Sequence, residues 1–270
     1  ILKLRKNNYK QIIIFDGKDR SIILSKFLNV DKIFHTYPQK KINFLTKIFF
    51  SKKYTTILDN QTIPLKYLYK SILDKIGVKI IKRDYKILLH QNIKKINIFK
   101  NENIKNKKYI LIHLDEKWFS DFYIKKYTDI SLKKNDFFLF IKKIVKKCHA
   151  NLIITTGTID LPFITEISNE YFNINKKGYY YLKIGKYKII LLKKISIENL
   201  EIVTMNAKSV ITCHGPLSLI SGSFNVNLID IIEKTQAKWY ERHTSHIMKY
   251  NKLYRIKFSK LAKQIILKVK

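Results

Sequence analysis

Residues 209–232 read SVITCHGPLSLISGSFNVNLIDII, and the parsing of this stretch decides the fold. A β-branched run (208–213) stops at a His-Gly-Pro corner. A Pro-led apolar segment (216–225) follows, then a second apolar run (226–232). The order is strand, helix, strand. Glycine is scarce, seven in 270 residues, yet Gly215 and Gly222 both fall here. Pro216 suits a first helical position, and Gly215 permits close approach of backbone. The amides of Leu217 and Ser218 would then stand at a helix N-terminus, where a phosphate is stabilised. The plain alternative is a tight strand-to-helix turn with no ligand.

Upstream the alternation continues. YILIHL (109–114) is a short apolar run of buried-strand type. NDFFLFIKKIVKKCHA (135–150) sets Phe137, Ile141, Ile144, Val145 and Cys148 at helical spacing. NLIITTG (151–157) is a strand ending in glycine, 160–172 a helix, 187–194 a strand. The segment 196–207 is a helix with Ser196 as N-cap. Strands alternating with helices predict a parallel sheet covered on both faces. The first half is a weaker copy. It has strands at 11–17 and 55–60 and helices at 20–29 and 65–77. The polar stretch NIFKNENIKNKK (97–108) reads as a linker. The expected division is an α/β domain over 1–100 and a Rossmann-like domain with a C-terminal helix over 101–270. The chain opens on Ile1, and the first domain is expected to be incomplete at its N-terminus.

Composition narrows the function. Apolar residues make up 46% of the chain, enough for a core, while 54 basic residues against 20 acidic give a formal charge of +34. Such a charge suits nucleic acid or an anionic membrane surface. Only five of the basic residues are arginine, however, and arginine is the side chain that reads phosphates and bases in bidentate fashion. Abundant lysine, isoleucine and asparagine throughout match an AT-rich coding bias. Two cysteines, Cys148 and Cys213, supply neither a disulfide framework nor a metal set. No run approaches the roughly 18 apolar residues of a spanning helix. The expected location is the cytoplasm, with peripheral contact at the inner face of the membrane.

In doubly wound sheets ligands bind outside the carboxyl ends of the strands, so the corners after each strand are the candidate sites. Cys213, His214 and Gly215 follow one strand. HLDEKWFSD (113–121) follows another, with Lys117 placed to meet a phosphate and Trp118 to wall a pocket, or else a solvated lysine beside a packing tryptophan. TTGTID (155–160) offers Thr156, Gly157 and Asp160, the last either holding a ribose hydroxyl or capping the next helix. Ile195 and Ser196 follow the strand at 187–194. In the first half FDGKDRS (15–21) carries Asp16 as a candidate base and Asp19 as a candidate cap. His243 and His246 lie three apart without partner ligands at metal-binding spacing. Absent are GxGxxG, a P-loop, the G-x-S-x-G elbow and an Asp-x-Asp pair.

These corners resemble the family 9, heptosyltransferase-like glycosyltransferases of the two-domain GT-B type. That family reads roughly K-x-S-L-E-x…A-K-x-V-V-x-x-D-[ST]-G-x-x-H across its last βαβ region. Here KKISIENLEIVTMNAKSVITCHGPLS (193–218) keeps Lys194, Ser196, Glu198, Ala207, Lys208, Val210 and Gly215 in register. The family's Asp, Ser/Thr and final His fall at Cys213, His214 and Ser218. Its Lys-x-Trp loop is similar to EKW, 116–118. IIIFDGKDRSIILSKFLNV (12–30) is similar to its acceptor-domain stretch. The resemblance implies an inverting, metal-independent glycosyltransferase of the cell envelope, as in lipopolysaccharide biosynthesis. It needs no cofactor and takes a nucleotide-sugar as co-substrate. The acceptor would be a glycan or a lipid-linked saccharide. Two alternatives stand beside it. One is a basic nucleic-acid-binding protein using KWYERHTSHIMKYNKLYR (238–255). The other is an inactive relic of the transferase fold.

Overall fold

The computed structural model of the chain describes residues 9–28, 30–41, 53–79, 109–119, 130, 132–175 and 179–269. The chain divides into two compact units, Ile1–Asp84 with Glu241–Ser245, and Tyr85–Tyr240 with His246–Lys270. The stretch read as a linker, 97–108, lies outside the described residues.

The first unit holds β1 (Gln11–Ile14), α1 (Asp19–Lys26), β2 (Lys32–Pro38), β3 (Tyr54–Asp59) and α2 (Leu65–Lys75). Its three strands are parallel, in the order β1-β2-β3. Strand β2 was not read from the sequence. KIFHTYP carries a histidine and a threonine where an apolar run was sought, yet all five residues from Ile33 to Tyr37 are buried. His35 is placed against Thr56, 2.8 Å from its hydroxyl. Burial is possible because the polar side chain has a partner.

The second unit begins with β4 (Tyr109–Leu114), α3 (Lys134–Cys148), β5 (Asn151–Thr156) and α4 (Pro162–Tyr171). It continues through β6 (Asn173–Ile174), β7 (Tyr180–Ile184), β8 (Tyr187–Leu192), α5 (Ile197–Met205), β9 (Ser209–Cys213) and α6 (Pro216–Ser223). It closes with β10 (Asn227–Ile232), the first residues of α7 (Ala237–Thr244), whose remainder from Glu241 belongs to the first unit, then β11 (Tyr250–Tyr254) and α8 (Phe258–Lys268). The eight strands lie in the order β11-β10-β9-β4-β5-β8-β7-β6. From β11 to β8 every pairing is parallel, as expected; β7 and β6 extend the edge antiparallel.

Strand β4 shows why the sheet is covered twice. All six of its residues are buried. Ile110, Ile112 and Leu114 join a core with Phe137, Ile141 and Val145 of α3 and Leu261 and Ile265 of α8. Tyr109 and Leu111, alternate by the period of the strand, join Leu200 and Val203 of α5 and Leu217 and Ile220 of α6. Each such side chain contributes about 1.5–3 kcal/mol on leaving water.

Three further strands, β6, β7 and β11, are not in the sequence reading. The β7–β8 hairpin turns through Gly185, whose φ of 58° supplies the left-handed residue of a two-residue loop. Strand β11 lies in the aromatic-basic stretch taken for a nucleic-acid surface; Leu253 is buried in the core there.

Candidate functional site

Parallel strands β4 and β9 are neighbours, and the chain winds outward from them in opposite directions. Such a reversal opens a crevice at the carboxyl ends of the two strands. A cavity of about 230 Å³ lies there, lined by His113, Asp115, Gly157, Ile195, Cys213, Gly215 and Leu217 among others. A second of about 250 Å³ shares His113, Asp115, Gly157 and Pro216 with it, and adds Glu116 and Lys117. A larger cavity, about 450 Å³, lies at the amino ends of β9, β10 and β11 and takes no part in this site.

Lys117 is fixed over the glycine corner. Asp115 accepts from its backbone N–H at 3.1 Å and from Nζ at 3.2 Å, and Nζ donates to the His214 carbonyl at 3.0 Å. A Cβ built on Gly215 would stand 2.8 Å from that Nζ. The glycine is therefore what lets the ammonium settle against the backbone. Burial works against the charge of Lys117, but Asp115 outweighs it and the ammonium pKa is raised. Burial pushes the Asp115 carboxyl up, and Lys117 offsets this only in part. We take the pair as ionised, since Asp115 accepts both Lys117 hydrogen bonds. His113 is 2.9 Å from the Thr155 hydroxyl through Nδ1. Burial, with the Lys117 charge behind it, lowers its pKa to about 4, so the ring is neutral at ordinary pH.

Behind the corner lies a network that the sequence reading missed. Asp230, 0% exposed in the middle of β10, accepts from His214 Nδ1 at 2.7 Å, Ser218 Oγ at 2.8 Å and Tyr250 OH at 3.1 Å. Ser218 Oγ in turn accepts from the Gly215 N–H at 3.3 Å, the reach-back half of a capping box. The signal was present in NLIDII, where one carboxylate stands in an apolar strand. A buried charge must be paired, so partners near Asp230 were predictable in kind.

Several candidate residues are placed differently from expectation. Trp118 does not wall a pocket; it is fully buried in the core and its indole N–H donates to the His113 carbonyl at 2.9 Å. Ser218 is buried and committed to Asp230, and its N–H goes to the Gly215 carbonyl. That leaves Leu217, which lines the crevice, as the helix-terminal residue there. Thr156 is buried and accepts from the Lys194 N–H. Asp160 neither caps α4, whose N-cap position is Leu161 and which has no side-chain cap, nor lines the crevice; it pairs with Lys194 at 2.8 Å on the surface. Ser196 is the N-cap of α5, accepting from the Asn199 N–H at 3.3 Å. Cys213 borders the crevice, but its thiol is buried in the core 3.4 Å from Arg255 Nη1, and burial pushes its pKa up strongly. The His214 ring packs against Tyr240 and Trp239, 4.5 and 6.2 Å between centroids. Gly157, Ile195, Gly215, Leu217 and Lys117 do come together. Apolar Ile197 and Leu200 of α5 also line the crevice and were not anticipated.

Asp16, in the first unit, is a poor base. Slight burial raises its pKa, but hydrogen bonds from Ser21 Oγ and the Lys18 N–H, with the charges of Lys18 and Arg20, bring it below the usual value. It anchors the turn into α1, the role expected of Asp19. The 238–255 stretch is partly folded into the core, with Lys238 and Lys249 left exposed. Tyr240, Thr244, Ile247 and Leu253 are buried, and Arg242 pairs with Asp59 at 2.7 Å. Among the described residues no three His, Cys, Asp or Glu side chains gather as a metal site would need, and no helix is long and apolar enough to cross a membrane.

No protein-family model and no curated protein matches the chain. Solved structures do. A family 9 glycosyl transferase from Veillonella parvula is 13% identical with a TM-score of 0.63, over 98% of this chain and 69% of that one. E. coli heptosyltransferase WaaC, with ADP-2-deoxy-2-fluoro heptose, is 15% identical with a TM-score of 0.59, over 98% and 74%. E. coli ADP-heptose lps heptosyltransferase II is 9% identical with a TM-score of 0.59, over 99% and 78%. The chain has the GT-B fold of the family 9 heptosyltransferases.

Proposed function

We propose that the chain is a glycosyltransferase that moves a sugar from a nucleotide-sugar donor to a glycan or lipid-linked saccharide acceptor. The observation that carries the reading is the Lys117 ammonium held over the bare Gly215 backbone at the mouth of the β4/β9 crevice. The nucleoside would lie along Ile195, Ile197 and Leu200, and the diphosphate against Lys117, Gly215 and the Leu217 amide at the start of α6. Helix dipole and ammonium would offset its charge together.

Reaction would be inverting displacement at the anomeric carbon. The acceptor oxygen forms its bond to that carbon as the bond to the diphosphate oxygen breaks. The diphosphate leaves with the electron pair, stabilised by Lys117 and α6 without a metal ion. The acceptor proton passes to a base, for which Asp16, hydrogen-bonded and with a lowered pKa, is not put forward. A lipid-linked acceptor would place the protein at the inner face of an anionic membrane, which its lysines would favour.

Isothermal titration of the whole chain against nucleoside diphosphates and nucleotide-sugars tests the reading. Binding of at least one diphosphate, weakened about tenfold or more in Lys117→Ala, is expected from loss of a charged hydrogen bond. If no nucleotide binds at millimolar concentration, the reading fails.

A further inference from the structure

Three side chains with hydrogen-bonding atoms are buried on the floor of the crevice: His113, Thr212 and Cys213. Two of them are spent elsewhere. Thr212 Oγ1 donates to the Cys213 carbonyl at 2.9 Å, and the Cys213 thiol lies in the core against Arg255. His113 is different. It is 8% exposed, and it borders both the cavity walled by Ile195, Ile197 and Leu200 and the cavity that holds Lys117. Its Nδ1 faces Thr155, whereas Nε2 has no hydrogen-bond partner among the described residues and is not sealed from solvent.

The Thr155 hydroxyl decides what Nε2 carries. Thr155 is 0% exposed, and its hydroxyl has one partner among the described residues, His113 Nδ1 at 2.9 Å. A buried hydroxyl proton needs an acceptor. Were Nδ1 protonated, it would itself be the donor, and the threonine proton would be left with nothing to bond. The hydroxyl therefore donates, Nδ1 accepts, and the one ring proton of the neutral imidazole sits on Nε2. Burial and the nearby Lys117 charge both keep a second proton off the ring.

The backbone beneath the ring is held firmly. His113 lies mid-sheet, paired with Thr155 of β5 and Thr212 of β9, and its carbonyl accepts the Trp118 indole N–H. Nε2–H is thus a neutral donor fixed where the two cavities join. A phosphate oxygen suits it, because that atom brings no proton and strengthens the hydrogen bond by its charge.

We infer that His113 is a binding residue of the donor site: its Nε2–H donates to an α-phosphate oxygen, while Lys117 meets the β-phosphate. The inference rests on the transferase reading, which lays the nucleoside along Ile195, Ile197 and Leu200 and the diphosphate at Lys117. The α-phosphate then falls at the junction, over His113.

The test pairs a spectrum with a titration. Long-range proton–nitrogen correlations of the isotope-labelled native chain at neutral pH, with the His113 signals assigned by their loss in His113→Gln, should show a protonated Nε2 and a bare Nδ1. ADP, UDP and GDP are then titrated, each with its monophosphate and its nucleoside. In the series that binds tightest, His113→Phe should weaken diphosphate and monophosphate about tenfold or more and leave the nucleoside within about twofold. His113→Gln, whose amide N–H reaches toward the same place, should recover most of the loss. Lys117→Ala should weaken the diphosphate more than the monophosphate. The Nε2 proton of the native chain should move downfield as diphosphate binds, a readout that needs no folded variant. A proton on Nδ1, an Nε2 proton indifferent to diphosphate, unchanged phosphate affinity in His113→Phe, or a loss shared equally by the nucleoside overturns the contact and leaves the transferase reading standing on nucleotide binding. A native chain that binds no nucleotide overturns both.

Discussion

At the residue scale the candidate site rests on what Gly215 leaves out. Any side chain there meets Lys117 Nζ, which sits at the end of a flexible chain and can retreat. Gly215→Ala should therefore cost little stability, with a thermal midpoint within about 2 °C of native. Nucleotide affinity should nevertheless fall about as far as in Lys117→Ala, because the ammonium is displaced from the corner. Full affinity in Gly215→Ala would show that the lysine is not held there to meet a ligand. His113 gives a second residue-scale test. Its folded pKa of about 4 lies below the value near 6.5 of an unfolded histidine. Between those values the unfolded chain binds more protons, so stability is full above about pH 6.5 and falls as pH drops toward 4, by about 3 kcal/mol in all. Asp115, whose carboxyl is raised, works in the opposite direction at the acid end. The effect is thus read as a difference: denaturant unfolding at pH 7 and pH 5 should show a smaller acid loss in His113→Gln than in the native chain.

At the scale of elements, the network on Asp230 ties β10 to the start of α6 and to β11 through three donors. Removing the acceptor takes a hydrogen-bond partner from each and leaves the Ser218 hydroxyl without it in a buried place. Asp230→Ala should cost about 3 kcal/mol, seen as a fall of several degrees in thermal midpoint. Asp230→Asn keeps acceptor capacity on one oxygen and should cost less. Elements also show what the sequence made legible. Strands β4, β5, β8, β9 and β10 are continuous apolar runs because both faces are buried, and helices α3 and α5 carry their period or their cap openly. Strand β2 was hidden because His35 and Thr36 are polar yet buried, with tertiary partners that local pattern does not display. Strand β11 was hidden by lysines on a partly exposed edge. At the site, the glycine corner and Lys117 were readable because strand ends in such sheets converge. The fate of Trp118, Thr156 and Ser218 was not, because each was decided by a hydrogen bond or by packing against residues distant in sequence.

For the whole molecule the open question is what a charge of +34 does. Of the three described arginines, Arg242 is occupied with Asp59 and Arg255 points Nη1 at Cys213 Sγ, 3.4 Å away. The side chains best suited to nucleic acid are thus partly withdrawn, leaving lysines that attract anions without geometry. Two consequences can be measured on one preparation. Retardation of single-stranded RNA should fall steeply on raising salt from about 0.05 to 0.3 M, as counterion release requires, while nucleoside diphosphate binding, set by one ammonium and backbone amides, changes only severalfold. Self-repulsion should also relax over that range, so the thermal midpoint should rise with salt. RNA binding that outlasts 0.3 M salt while nucleotide binding vanishes would invert the assignment and make the charge, rather than the crevice, the functional feature.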